Sequence, residues 1–488
     1  MNYKISNIDD RLEKYFSPDL LRNFYKDYKT RKTDHFKSEI KIQMGADGVT
    51  YQAFEKDLDR NVNFISKKVL SGSYLFYPFR EVEIDKPDGG KRTLSIASIR
   101  DVIVQQQLYN TIYPEIDRLF RHPTVNYVSF AYRKGRSAPQ AALYVHRYIK
   151  EGYIYALDAD IVKYFDTIPH EGLLNLLKSY FEEDSITYKL IRRFILTDRV
   201  PYNTYKRRRY HRLHGKEIFR KIKPDRKPRE KGVPQGGVLS GMLANLYLHN
   251  FDKWIMKEVS CQIDLKYVRY ADDFVIMIRS PEKLELLRDK VALKLNDIGL
   301  KLHTNPDKTR LVNVADDGLK FVGFHFSLTD ISVRERNIQK FKERFSEKIQ
   351  SDASWNIQFS NTEQRLRALI NQKLNFKILG TEEKCPKCNL PIDSKPKSWM
   401  GFFAVVTNID QLRKLDKWIR AEIAKYFFQK YKYHIKRKIL HKANLKSIEQ
   451  EYYRIRKIKS CECINDEENS QILNIEDDEV SDLFTSND

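Results

Sequence analysis

The chain is predicted to fold as an α+β protein built around antiparallel sheet, and three features carry that expectation. Alternating runs REVEI (80–84) and TLSI (93–96) flank the turn-forming segment KPDGGKR, which reads as a β-hairpin with a basic tip. A second pair of short strands, KYVRY and FVIMI, flanks Ala271, Asp272 and Asp273, which places two carboxylates at a hairpin bend. Around these hairpins apolar residues recur at helical spacing, so helices and strands are mixed along the chain.

A length of 488 residues accommodates several structural units with ample buried core. The formal net charge of +22 describes a surface that attracts polyanions, nucleic acid first among them. No apolar run approaches the ~18 residues of a membrane span, and the N-terminus carries acids where a signal peptide has its apolar core. A cytoplasmic protein without membrane contact is expected. Five cysteines are too few for a disulfide framework.

Taken in order, residues 1–50 read as a charged, helical N-terminal extension. The basic hairpin follows, and Val102, Ile103, Leu108, Ile112, Ile116 and Leu119 then mark a buried helix. YIYALDADI (153–161) is strand-like, and Pro169 stands in the first turn of the next helix. Residues 206–231 form a very basic interruption without steady periodicity, expected as an inserted loop or arm. A helix from about Leu239 to Met256 carries Met242, Leu243, Leu246, Tyr247, Phe251 and Trp254 along one side. After the acidic hairpin, Ser280 and Pro281 open a helix that Gly299 ends. Beyond about residue 335 the pattern is mainly helical. No Lys or Arg follows Lys459, so 461–488 is expected to be an acidic, disordered tail.

Two adjacent carboxylates between apolar strands repel one another unless a cation compensates. Magnesium needs only one or two carboxylates plus substrate phosphates, so a strand-end acid facing the Asp272–Asp273 bend would suffice. Alternation places Asp158 and Asp160 on one face of their strand, and pattern alone does not choose between them.

An ordered series of motifs supplies the choice. GADGVT (45–50) and YPFREVEIDKPDGGKRTLSI are followed by FAYRKGRSAPQAAL (130–143) and DIVKYFDTIPH (160–170). GVPQGGVLSGMLANLYL (232–248), YADD, and finally NPDKTRLV with KFVGF complete the order. Over about residues 45–330 the chain resembles the reverse transcriptases of group II introns and their free-standing bacterial relatives. The resemblance implies a right-hand polymerase fold, with fingers and palm in 51–330 and a helical thumb and C-terminal region in 331–460. It implies RNA-directed DNA synthesis with two Mg2+ ions on Asp160, Asp272 and Asp273, selecting Asp160 over Asp158. Lys86 and Arg92 would grip the triphosphate of an incoming deoxynucleotide, and Gln235 and Gly236 would touch it. Phe165 would bar a 2′-hydroxyl, and Lys308 would protonate pyrophosphate. One departure stands out: the family's Ser-Pro is here Ser240–Gly241.

Arg207, Arg208 and Arg209 in the basic interruption are expected to contact nucleic acid. Cys385 and Cys388 in KCPKCN have the spacing of half a zinc site, for which Cys461 and Cys463, or His434 and His441, are the candidate other half, but free thiols are the expected reading. The C-terminal part shows no convincing nuclease module, so the resemblance favours a free-standing enzyme of the antiphage-defence type. Such an enzyme copies RNA, a dedicated noncoding RNA, into a DNA product. The alternatives are an intron maturase without its nuclease and an inactive RNA-binding scaffold. Template sequence, primer and oligomeric state are left open.

Overall fold

The computed structural model describes residues 4–35, 44–85, 90–201, 209–213, 216–220, 225–354, 359, 361–380, 384–385, 388–390 and 397–458. The chain divides into two compact units, 1–317 and 318–488.

The first unit opens with four helices, α1 (Asp10–Tyr15), α2 (Pro18–His35), α3 (Tyr51–Lys56) and α4 (Leu58–Leu70). The expected basic hairpin is β1 (Phe79–Asp85) with β2 (Lys91–Ile96), in register from Arg80 opposite Ile96 to Asp85 opposite Lys91. Helices α5 (Ile99–Phe120) and α6 (Ala138–Lys150) lead to the central strand β3 (Tyr155–Asp160). Next come α7 (Tyr164–Thr167), α8 (His170–Tyr180), α9 (Ile186–Ile195) and β4 (Arg199–Val200), which adds in parallel to β1. Pro169 is the N-cap of α8 rather than part of its first turn. Within the basic interruption, expected as a loop or arm, β5 (Arg209–Leu213) and β6 (Lys216–Arg220) pair as a regular hairpin. Its alternation is hidden in the sequence because apolar and charged residues share both faces of the hairpin, Tyr210 and Phe219 with Arg212 on one and Ile218 and Leu213 with Arg209 on the other.

Helix α10 (Ser240–Trp254) precedes the acidic hairpin of β7 (Leu265–Tyr270) and β8 (Asp273–Ile278). Helix α11 (Leu284–Asp297), β9 (Arg310–Asn313) and α12 (Val314–Asp317) close the unit. Strands β7-β8-β3-β9 make one antiparallel sheet in that order.

This sheet sorts its residues by face. Leu157, Ala159, Tyr267, Phe274, Ile276 and Ile278 point into the main core with helices α5, α8, α10 and α11. The opposite face carries Asp158, Asp160 and Asp273 among buried Ala156, Val268, Val275 and Met277. Because side chains alternate with period two, a slip of one residue would drive the acids into the apolar core, so the core face pins the register.

The second unit begins with an antiparallel sheet of β10 (Leu319–Phe321), β11 (Phe324–Phe326) and β12 (Ile331–Val333). Among the described residues seven helices follow, of which α13 (Glu335–Gln350) and α17 (Ile409–Tyr431) are the longest; Phe341, Phe345, Trp399 and Phe403 build its aromatic core. No helix among the described residues is long and apolar enough to cross a membrane.

The N-terminal extension packs into the core of the first unit and is tied to it by several polar contacts, among them Arg11 with Glu115 and Asp9 with the start of α9. The Asp9 carboxylate accepts hydrogen bonds from the Ile186 and Thr187 amides (2.7 and 2.9 Å) and the Thr187 hydroxyl (2.7 Å), at the start of α9. Asp9→Ala is expected to cost about 1–2 kcal/mol, as for the loss of a helix N-cap, read as an earlier midpoint in urea unfolding. An unchanged midpoint would mean the extension is not stabilised through this contact.

Candidate active site

The acids are brought together by strand pairing. Asp160 ends β3 and is the register partner of Asp273, the first residue of β8. Side chains of directly opposed residues in an antiparallel ladder share a face with Cβ atoms about 4.5–5.5 Å apart. Ala271 and Asp272 form the two-residue turn between β7 and β8, and Ala271 takes a left-handed φ of 62°. That conformation costs a non-glycine residue roughly 1–2 kcal/mol. Burial, and then the Asp160 charge, push the Asp272 carboxyl up to about 6. Burial followed by Asp158, Asp160 and Asp272 pushes Asp273 well above the usual carboxylate range.

Asp158, which pattern alone could not separate from Asp160, is engaged elsewhere. It is bonded by Arg310, its register partner on β9. Asp160 instead accepts from the Lys308 ammonium at 3.1 Å, at the strand end where the acids converge. Among the described residues no three Asp, Glu, His or Cys side chains stand close enough to cage a metal ion by themselves. Hard oxygen donors on two facing strand ends, repelling one another, suit magnesium in the mode where substrate phosphates complete the shell.

The basic hairpin reaches this site through Gln235. Its side chain accepts from Arg92 Nε at 2.8 Å and donates to Asp166 at 3.1 Å, while its carbonyl accepts from the Ser95 amide at 2.7 Å. Gly236 has φ 101°, and a Cβ there would lie 3.1 Å from the Ser95 carbonyl, so only glycine lets the two backbones approach. The Val233 amide donates to the Phe165 carbonyl at 2.7 Å and bridges this loop to α7. Phe165 itself is half-buried, its ring edge-on to Tyr164 and Tyr132. Lys86, Arg207 and Arg208 lie outside the described residues, and Arg209 is the first residue of β5.

Cys385 is buried and Cys388 partly so, in a tight loop where the Asn389 amide donates to the Cys385 carbonyl at 2.9 Å. Cys461 and Cys463 lie outside the described residues. Arg229, near the end of the basic interruption, folds back: its guanidinium is 8% exposed and lies 3.2 Å from the Ser95 hydroxyl and 3.7 Å from Glu81.

Sequence reasoning missed the support beneath the hairpin. Arg269 on β7 is fully buried, on the core face. Its guanidinium donates to both Asp252 oxygens (2.8 and 2.5 Å), to Asn245 (2.9 Å) and to the Ala271 carbonyl (3.0 Å). The Asp252 carboxylate also accepts from Tyr267 at 2.9 Å. The available signal was an arginine among strand apolars with an aspartate on the preceding helix, which sequence cannot pair. Arg269→Met should destabilise the protein by about 3–5 kcal/mol, because it strands the Asp252 charge in the core. The double change Arg269→Met with Asp252→Leu should recover much of that loss in thermal melts. Equal melting of both variants would show that the pair is not the source of the effect.

Residues 84–326 match the family described as Reverse transcriptase (RNA-dependent DNA polymerase). The chain is 26% identical over 382 residues to an uncharacterized 91 kDa protein in a cob intron of Schizosaccharomyces pombe, covering 66% of this chain and 44% of that one. It is 24% identical over 342 residues to the group II intron-encoded protein LtrA of Lactococcus lactis, covering 57% of this chain and 50% of that one. The Escherichia coli retron Ec73 reverse transcriptase matches at 22% over 259 residues, 51% of this chain and 71% of that one. The chain thus spans half or less of the two intron-encoded relatives. With its motifs in order and its acids on facing strands, the chain belongs to the reverse transcriptase family.

Proposed function

We propose that the protein is an RNA-directed DNA polymerase that joins deoxynucleotides at the acids of β3 and the β7–β8 turn. The observation that carries the reading is the register of Asp160 opposite Asp273, with Asp272 at the adjoining turn. Two divalent ions held there would supply charge neutralisation at the triphosphate and activation of the attacking 3′-hydroxyl. The residues around them divide the remaining work. Arg92 and Lys86 draw in the triphosphate, Gln235 and the Gly236 backbone orient the nucleotide, and Phe165 closes the space a 2′-hydroxyl would need. Lys308, already beside Asp160, is the candidate proton donor to departing pyrophosphate. The Arg92–Gln235 hydrogen bond is exposed, so a phosphate can take the guanidinium at little cost.

The narrower reading is a free-standing enzyme that copies a dedicated noncoding RNA in antiphage defence. What supports it is the likeness to a retron reverse transcriptase, of which the chain covers 71%, together with a basic hairpin at 209–220 that suits phosphate contacts. The intron-encoded relatives favour a second reading, an intron maturase. Sequencing RNA that copurifies with the protein distinguishes the two: one structured RNA without splice boundaries supports the first, and an intron supports the second.

Asp272→Asn should abolish synthesis while leaving the fold intact. The Asp272 carboxyl titrates at about 6 in the fold against an ordinary 3.8. The folded protein therefore holds this proton more tightly than the unfolded chain, and stability from this group declines as pH rises from about 3.8 to 6. Without metal, Asp272→Asn should melt above wild type at pH 8, with the gap closing toward pH 4. Synthesis retained by a clean preparation of the variant would mean that other acids do the chemistry.

Alanine at Arg207, Arg208 and Arg209 together should weaken RNA binding and flatten its dependence on salt. The slope of log K against log salt should fall by about 0.7–0.9 for each phosphate that the variant no longer neutralises. An unchanged slope would remove the arm from the nucleic-acid interface.

A further inference from the structure

Tyr132 is held in a conformation its own chemistry disfavours. Its φ is 56°, in the left-handed region that a residue with a ring on its Cβ rarely adopts. Such a conformation persists only where the surroundings over-determine it. Here they do so from both sides. The Ala131 carbonyl accepts from Asn245 of α10 at 2.5 Å. The buried Arg133 guanidinium donates to Asp117 at 2.9 Å and to the Ser129 carbonyl at 2.8 Å, and the Lys134 amide donates to the Tyr113 hydroxyl at 2.6 Å. Phe130, Ala131 and Arg133 are buried, yet Tyr132 between them is 49% exposed. The backbone is clamped so that this one ring turns outward.

The ring has a definite place. It meets Phe165 edge-on, with centroids 5.9 Å apart and planes at 75°. Asp272, Arg92 and Tyr270 are its ionisable neighbours, which puts it at the mouth of the acidic site. Its Cγ and Cδ1 lie 2.5 Å from the point where a Cβ on residue 241 would stand. Gly241 is in α10 and needs no left-handed backbone, and alanine is the better helix former. The glycine therefore serves space rather than conformation.

We propose that Tyr132 is the positioning residue of the sugar-discriminating ring, holding Phe165 edge-on at the nucleotide site, and that Gly241 is the space that admits it. The proposal rests on Phe165 acting as the gate. Without the support of Tyr132, Phe165 gains room to tilt, and a 2′-hydroxyl meets less resistance.

The test is primer extension by the full chain with deoxy- and ribonucleoside triphosphates, comparing the ratio of kcat/KM values, with melting temperatures recorded for each variant. Phe165→Val should move the ratio toward ribonucleotides. Tyr132→Ala and Gly241→Ala should each move it the same way by roughly 3- to 10-fold, the range an edge-to-face aromatic pair supplies. Combining them should do no more than Tyr132→Ala alone, because alanine at 241 acts only by displacing the ring. Tyr132→Phe keeps the ring and should hold the wild-type ratio. If Phe165→Val shifts the ratio and Tyr132→Ala does not, the gate stands and the role of Tyr132 is overturned. Additive effects of the two alanines would refute the part given to Gly241. Should Tyr132→Ala fail to fold, Gly241→Ala decides, since a helix accepts alanine and a wild-type ratio there overturns the proposal. An unchanged ratio in Phe165→Val removes the gate and this inference together.

Discussion

The buried contact between Arg269 and Asp252 is the constraint on which the acidic site depends. One guanidinium ties β7 to α10 through Asp252 and Asn245, and it holds the Ala271 carbonyl in the turn that presents Asp272. The backbone of Arg269 also pairs with Val128 and Phe130, which fixes the segment leading to Tyr132. Burying a charge is expensive unless it is paired and its hydrogen bonds are satisfied, and Arg269 meets both conditions. The hairpin, helix α10 and the segment leading to Tyr132 are thus held by a single residue, through its side chain and its backbone.

The site above this anchor combines strain with repulsion. Left-handed backbone at Ala271, Tyr132 and Lys163 surrounds the acids, and each costs energy that only a rigid setting sustains. Burial and the neighbouring carboxylates push Asp272 and Asp273 toward the protonated form, with partial relief from Lys308 for both and from Arg92 for Asp272. Asp158 is bonded by Arg310, which lies directly opposite it, and Asp160 by Lys308. A frustrated cluster of oxygen donors is prepared to take up cations.

The polar bridge from Arg92 through Gln235 to Asp166 differs in kind from the buried anchor. It is exposed, so its members exchange partners with little penalty. Rigid support below and exchangeable contacts above would suit the proposed polymerase site, which has to hold its acids still while nucleotides come and go.

Much of this was legible in the residue order. Alternation located β1, β2, β7 and β8, helical spacing located α5, α10 and α11, and the acids at the 271–273 bend stood out because charge between apolar strands demands an explanation. These are local properties, set by which face a side chain must bury. The regularity of the basic hairpin at 209–220 was hidden because alternation is visible only when one face is apolar. Alternation alone put Asp158 and Asp160 on one face, and the residue order did not show that β9 places Arg310 across from Asp158. Arg269 with Asp252, Tyr132 with Gly241, and Arg229 with Ser95 join residues distant in the chain, and no spacing rule connects them. The residue order by itself determined where strands, helices and acids would form; only the tertiary structure decided which charges are paired and which are left facing one another, because pairing depends on three-dimensional packing and burial.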